Sequence, residues 1–475
     1  MKLQVIAGIN KMKRAFKSLY ICIISAVVFC FVFTSAGSSE SDEARYYTAE
    51  EISQIAEGII EWKSAASDAL SDTALIEEIL SVHAGDPSAD WYALGMARLS
   101  KDYHFPVYLR SLTENVIDIC ESGKTAAVPV TDFHRMALTM AAIGGDPSEI
   151  TPGGKSESDE AIDLIAGYTY GIGAVATLDK QGITGPIWAL ITLDSGQYSI
   201  PEGSSYDREA IINMILKEQR PDGGFALAGP AADPDITAMT IQALAPYYNS
   251  DLYIGVRAAI DLALARLSEL QNETGDFSSW GNRNSQTGAQ VMLALCCLGI
   301  DPQTDERFIK NGRTLMDGIM LYRVSDKGFA NTLPAVRSNS KASEQILYSF
   351  AAVLRNMSGM RLLYDMRPEP GPDLKREIKS LREDISGIDR YTSTETLDSL
   401  SERYEAVPVS ERMYVFNYTA LRDALADIVP RESDQPAPSP DKDKTTIPVV
   451  IAAVTVFAAV SVAVFLKKRK GGSHT

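Results

Sequence analysis

The sequence predicts an all-α protein built from a tandem helical repeat, on three observations. A loop motif recurs every 52 residues, apolar side chains follow helical periodicity, and the alternation that strands need is nearly absent. The loop Gln219-x3-Gly223-x-Phe225 returns as Gln271-x3-Gly275-x-Phe277, and Phe329 of Asp-Lys-Gly-Phe follows 52 residues later. A second register of helix starts falls at Thr131, Ile183, Thr237, Thr287 and Ser343, spaced by 52, 54, 50 and 56 residues, with a degenerate earlier copy from Asp90. Each unit carries two helices. Residues 45–367 therefore hold about six helical hairpins, which either stack into an open solenoid or close on themselves as a ring.

The elements follow in order. Residues 1–36 begin with Lys2, Lys11, Lys13, Arg14 and Lys17, continue through an apolar run and end in small residues. This is the pattern of an export signal cut after Ala36, with an uncleaved anchor as the alternative. Thr48-Ala-Glu-Glu51 is a capping box opening a helix that keeps Ile52, Ile55, Ile59 and Trp62 on one face. Between the loop motifs, Ile260, Leu264 and Leu267 share a face at helical spacing. After Pro372 the repeat ends, and residues 373–430 read as three amphipathic helices with Pro408 in a turn and Tyr404, Val415, Tyr418 and Leu421 in their core. Residues 431–446, rich in proline and charge, cannot bury a core and form a stalk. Residues 447–466 are twenty residues without a charge, and at about 1.5 Å per residue they match a hydrocarbon core of about 30 Å. The basic cluster Lys467-Lys468-Arg469-Lys470 opens the tail 467–475 and stays cytoplasmic, so the body is expected outside the cell, held by this membrane helix.

Composition excludes some classes. At 475 residues with 45% apolar side chains, the chain is long enough for a sizeable core and more than one domain. Forty-five Lys and Arg against 62 Asp and Glu, a net charge of −17, argue against nucleic acid as a partner. Cys22 and Cys30 lie in the export segment, which leaves Cys120, Cys296 and Cys297, a poor disulfide framework better read as buried thiols. The four histidines and five cysteines show no zinc-ligand spacing, and no metal is expected.

The paired Gln-x3-Gly-x-Phe loops, with an Asp-x-Asp-x-Thr-Ala helix start at Asp233, resemble the terpenoid cyclase and protein prenyltransferase α/α toroid superfamily, with its squalene oxidase repeats and the cobalamin carriers. The resemblance implies a closed ring of inner and outer helices around a cavity, over roughly residues 85 to 360. In the loops, Gln219 and Gln271 can satisfy orphan groups at helix ends, Gly223 and Gly275 allow the turn, and Phe225, Phe277 and Phe329 cover the joint. In the triterpene cyclases the motif's middle aspartate is a general acid, which would fall on Asp235; here Ile236 replaces the third aspartate that would assist it. Three readings of Asp235 stand: it or Asp233 caps the helix, it contacts a ligand in the cavity, or it donates a proton. Other groups near the same helix starts are expected around the mouth: Asp132, His134, Gln181, Thr184, Trp188, Thr237, Gln286, Gln290, Ser343, Glu344 and Gln345, with Trp280, Tyr247 and Tyr248 as aromatics.

The leading expectation is capture of a small ligand, cobalamin-like or other, or of an extracellular partner, with no cofactor required. The alternatives are an isoprenoid-processing enzyme with Asp235 as its acid, and a structural surface protein. Residues 403–425 resemble small helical repeats of Gram-positive surface proteins, so 373–430 reads as a spacer or an adhesion module.

Overall fold

A computed structural model of the chain describes residues 44–99, 101–123, 125–151, 161–173 and 177–428. The export segment 1–36, the stalk 431–446, the apolar run 447–466 and the tail 467–475 lie outside the described residues. Among the described ones no helix is long and apolar enough to cross a membrane. Residues up to Leu425 form one compact unit, and a second begins at Ala426.

The chain is all-α. Among the described residues the helices are interrupted by one antiparallel hairpin, Phe277–Ser279 (β1) with Asn282–Asn284 (β2), and by isolated bridges. The helices come in pairs: Ala49–Ala66 (α1) with Pro87–Ala97 (α2), Pro106–Glu121 (α3) with Val130–Ala142 (α4), and Leu164–Tyr168 (α5) with Thr184–Ser195 (α6). Three further pairs follow: Arg208–Leu216 (α7) with Pro234–Leu244 (α8), Ile254–Leu270 (α9) with Ser285–Cys297 (α10), and Leu315–Met320 (α11) with Ser340–Met357 (α12).

Composition separates the members of each pair. α1 and α3 have a polar side and bury a stripe such as Ile52, Ile55 and Ile59, whereas α6 and α10 are buried nearly all round. A helix without a polar face must be enclosed, so the even-numbered helices lie inside. α2 packs on α4, α4 on α6, α6 on α8, α8 on α10, α10 on α12, and α12 returns to α2. That cycle distinguishes a ring from an open stack and is compatible with an α/α toroid. Gly95 permits the closing contact, since a Cβ there would stand 3.3 Å from the Leu347 side chain.

The repeated loops share one hydrogen-bond scheme. Gln219 Nε2 donates to Gly223 O at 2.8 Å and Ala259 O at 2.9 Å; Gln271 Nε2 donates to Gly275 O at 2.9 Å and Phe308 O at 3.0 Å. Each glutamine thus ties its own turn to the next unit. Gly223 and Gly275 have φ of 89° and 84°, and Phe225, Phe277 and Phe329 are buried. In the third copy the left-handed position is held by Lys327, at φ 78°, and Arg323 stands where the glutamine would be.

After the ring come Pro372–Ser386 (α13), Thr394–Ala406 (α14), a 3₁₀ segment Val409–Tyr414 and Tyr418–Ile428 (α15). They share a small core of Ile378, Leu381, Ile385, Leu397, Leu400, Tyr404, Val407, Val415 and Leu421. They also dock on the ring. Glu411 accepts from both Arg361 Nη1 at 3.0 Å and Nη2 at 3.1 Å, and from Arg367 Nη1 at 2.9 Å, while Asn249 Nδ2 donates to Val415 O at 3.1 Å. Cys120, Cys296 and Cys297 are free thiols, the last two buried.

Candidate functional site

The N-terminal ends of the inner helices open onto a cavity of about 860 Å³. Their C-terminal ends face a second cavity of about 760 Å³, lined by Asp194, Gln242, Cys297 and, from the docked helices, Tyr404 and Arg412. The inner helices therefore run in one direction through the ring. Between the two cavities lies a floor of aromatic and amide groups. Trp91 meets Trp188 at 5.3 Å and Tyr348 at 5.5 Å between ring centroids, and Trp188 meets Tyr364 edge-on at 5.9 Å. Gln242 Nε2 donates to Gln290 Oε1 at 3.0 Å, and Gln290 Nε2 donates to the Tyr348 hydroxyl at 2.5 Å.

The first cavity gathers nine of the expected residues: Asp132, Trp188, Asp233, Asp235, Trp280, Gln286, Gln290, Glu344 and Gln345. His134 and Thr237 are placed elsewhere. Each stands two residues after a cavity-lining aspartate, and two helical steps rotate a side chain by about 200°, to the far face. His134 Nε2 lies 3.1 Å from Tyr168 O in the core, and burial pushes its imidazole down to about 4. Thr237 Oγ1 accepts from Phe225 N at 2.9 Å and donates back toward its turn, a structural tie. Ser343 repeats it on Phe329, whose N donates to Ser343 Oγ at 3.0 Å. Gln181 Oε1 accepts from Thr131 N at 3.1 Å, and Tyr247 faces the second cavity.

Asp233 is the cap. Its Oδ1 accepts from Asp235 N at 2.9 Å and Ile236 N at 3.1 Å, and its Oδ2 accepts from Ser279 Oγ at 2.9 Å. Asp235 instead faces the cavity, and its Oδ1 has no partner. Burial, reinforced by the neighbouring Asp233 carboxylate, pushes its carboxyl up to about 6, against the hydroxyls of Thr287 and Ser279. On the α12 side, Glu344 is 3% exposed with Oε2 unpartnered, and burial pushes it up to about 8 although Lys63 and Lys341 oppose this. Asp132 is committed: with Asp90, which is fully buried, it holds Arg135, whose Nε donates to Asp90 Oδ2 at 2.9 Å.

Trp91, Arg135, Met239, Lys341 and Tyr348 also line this cavity and were not among the sequence candidates. Their signal was periodicity, since Met239 stands four residues after Asp235, and Tyr348 four after Glu344. Trp280 lines the mouth from the β1–β2 tip, 78% exposed, where φ of 52° and then 77° at Gly281 make a turn with two left-handed residues. Among the described residues, no group of three or more His, Cys, Asp or Glu could hold a metal ion. No protein-family model matches the chain, and no curated protein matches it.

Proposed function

We propose that this chain is a binding protein displayed at the cell surface, in which an α/α toroid like the cyclase and prenyltransferase rings captures a small molecule at the N-terminal ends of its inner helices. An N-terminal export signal and the membrane helix 447–466 place the ring outside the cell in this reading. The observation that carries it is the mixed lining of the cavity: Asp235, Gln286, Gln290, Lys341 and Glu344 interleave with Trp91, Trp188 and Tyr348. A chamber for carbocation chemistry needs aromatic walls and exclusion of nucleophiles, whereas interleaved polar and aromatic groups suit selective retention. A volume of about 860 Å³ falls within the size usual for small-molecule sites, about 300–1,000 Å³.

Native mass spectrometry of the purified chain tests this. A retained small molecule that is lost from a cavity-filling Gln286→Trp variant with an unchanged helical spectrum is the expected result; no retained mass, and no change in melting with any of a metabolite panel, would refute it.

One observation favours the enzyme reading: Asp235 is an acid raised by burial and by the neighbouring Asp233 carboxylate, as a proton donor would be. Assays with squalene and prenyl diphosphates decide between the two readings, with no turnover expected.

A further inference from the structure

Resting on the binding reading above, we propose that the cavity takes an ammonium ligand, a small molecule whose protonated amine is held by the carboxylates of Glu344 and Asp235 while its apolar stem lies against Trp91, Trp188 and Tyr348. Glu344 carries the assignment: it lines the cavity, is 3% exposed, and its Oε2 lies out of solvent without a partner. A buried carboxyl without a donor is costly, and the group it lacks is an N–H or a cation. Asp235, which lines the same cavity, has a second buried oxygen without a partner, Oδ1. The Tyr348 hydroxyl lies within electrostatic reach of both. The tilted rings of Trp91, Trp188 and Tyr348 add the π faces that attract cations.

The charges facing these acids come from several elements. Asp86 and Asp233 repel them. Arg135 is taken by Asp90, Asp132 and Gly85 O. Lys63 of α1 donates to Ser340 Oγ at 3.1 Å and lies over the Tyr92 ring. Lys341, exposed at the rim, acts on both carboxyls. Helix N-termini in general favour anions, but four of the six inner helices, α2, α8, α10 and α12, are already capped by Asp86, Asp233, Asn284 and Asn339, while α4 and α6 carry no side-chain cap. The buried side-chain groups of this cavity left without partners are therefore acids. The net charge of −17 draws cations toward the protein as a whole.

With Glu344 held up to about 8 and Asp235 up to about 6, ammonium binding expels protons, and affinity rises with pH until the amine itself titrates, near pH 10. Calorimetry on the full chain in non-ionic detergent, with pentane-1,5-diamine, pentane-1,5-diol and pentanedioate as probes, tests this in buffers of differing ionisation enthalpy. The diamine is expected to bind at least about tenfold more tightly than the other two, with proton release and with affinity increasing from pH 6 to pH 8.5. Glu344→Gln should weaken it about tenfold or more and reduce proton release, and Lys341→Gln should strengthen it several-fold. A structural role for Glu344 would not alter proton release. Equal binding of the diol or the dianion, diamine binding indifferent to Glu344→Gln, or no binding of any probe overturns the proposal. If a neutral or anionic molecule is retained in the cavity, the binding reading stands while the ammonium assignment falls.

Discussion

Asp233 and Asp235 are the same residue type two positions apart, and their surroundings give them opposite roles. Asp233 spends both oxygens on the backbone of α8 and on Ser279, while Asp235 leaves one without a partner. Asp233→Ala should therefore cost about 1 kcal/mol in stability, the usual worth of a cap, while Asp235→Asn leaves the thermal midpoint nearly unchanged and lowers ligand retention. Melting curves together with native mass spectrometry separate the two effects; an Asp235→Asn variant as unstable as Asp233→Ala would reverse the roles. The same scale sets a pH dependence. Glu344 has a folded pKa raised to about 8, above the ordinary value of 4.5. Its stabilising effect is therefore complete below the unfolded pKa and is lost as pH rises toward the folded one. Between pH 5.5 and 7.5 the folded state holds the extra proton, so this group removes about 1.4 kcal/mol of stability per pH unit, and Glu344→Gln should flatten that slope in denaturant melts. An identical slope in the variant would show that Glu344 titrates normally.

Elements of this protein are joined at points where little can change. A Cβ on Gly275 would lie 2.2 Å from Thr314 O, and the residue sits at φ 84°, so steric overlap and backbone strain act together. Gly275→Ala should destabilise by about 3 kcal/mol or more, measurable by denaturant titration, and a loss under 1 kcal/mol would mean the loop relaxes easily. Lys327 tolerates the corresponding left-handed conformation in the next copy, and its Nζ pairs with Glu61 of α1. The β1–β2 tip shows the reverse balance. Trp280 keeps a bulky side chain at φ 52° and exposes it at the cavity mouth, which is a cost to the hairpin without a packing return. Trp280→Asn places the favoured residue before Gly281, so stability should rise by about 1 kcal/mol while ligand retention falls. A variant that is stabilised yet binds as well as the parent would assign Trp280 no part in the site.

At the scale of the molecule, the docked helices α13–α15 close the ring face opposite the candidate site, fastened by Arg361, Arg367, Asp365 and Glu411, all nearly buried. Removing one partner of such a cluster strands buried charge, so Glu411→Gln should cost about 3 kcal/mol and expose residues 373–425 to hydrogen exchange before the ring. Uniform loss of protection across the chain would instead mean that ring and docked helices unfold as one. Much of this architecture was legible in the sequence because it is set by local periodicity. The 52-residue spacing of Phe225, Phe277 and Phe329, the capping box at Thr48, and the all-round apolar character of α6 and α10 announce helical hairpins and their inner members without any knowledge of distant contacts. The site was legible in part. Helix starts are placed by motif, which locates Asp235, Gln286, Gln290 and Glu344, but His134 and Thr237 stand two residues further along α4 and α8, and a rotation of about 200° turns them to the far face. The repeat pattern alone left closure of α12 onto α2 open and only the family resemblance implied it, because closure depends on curvature accumulated over six units rather than on any one of them. The pairing of Asp90 with Arg135 lay beyond the sequence, and so did the isolation of the Glu344 carboxyl, since whether a buried charge finds a partner is decided by what the fold brings within hydrogen-bond reach. The sequence by itself thus determined the helices, their repeat and their inward faces; the tertiary structure decided which acids are satisfied and which are left to meet a ligand.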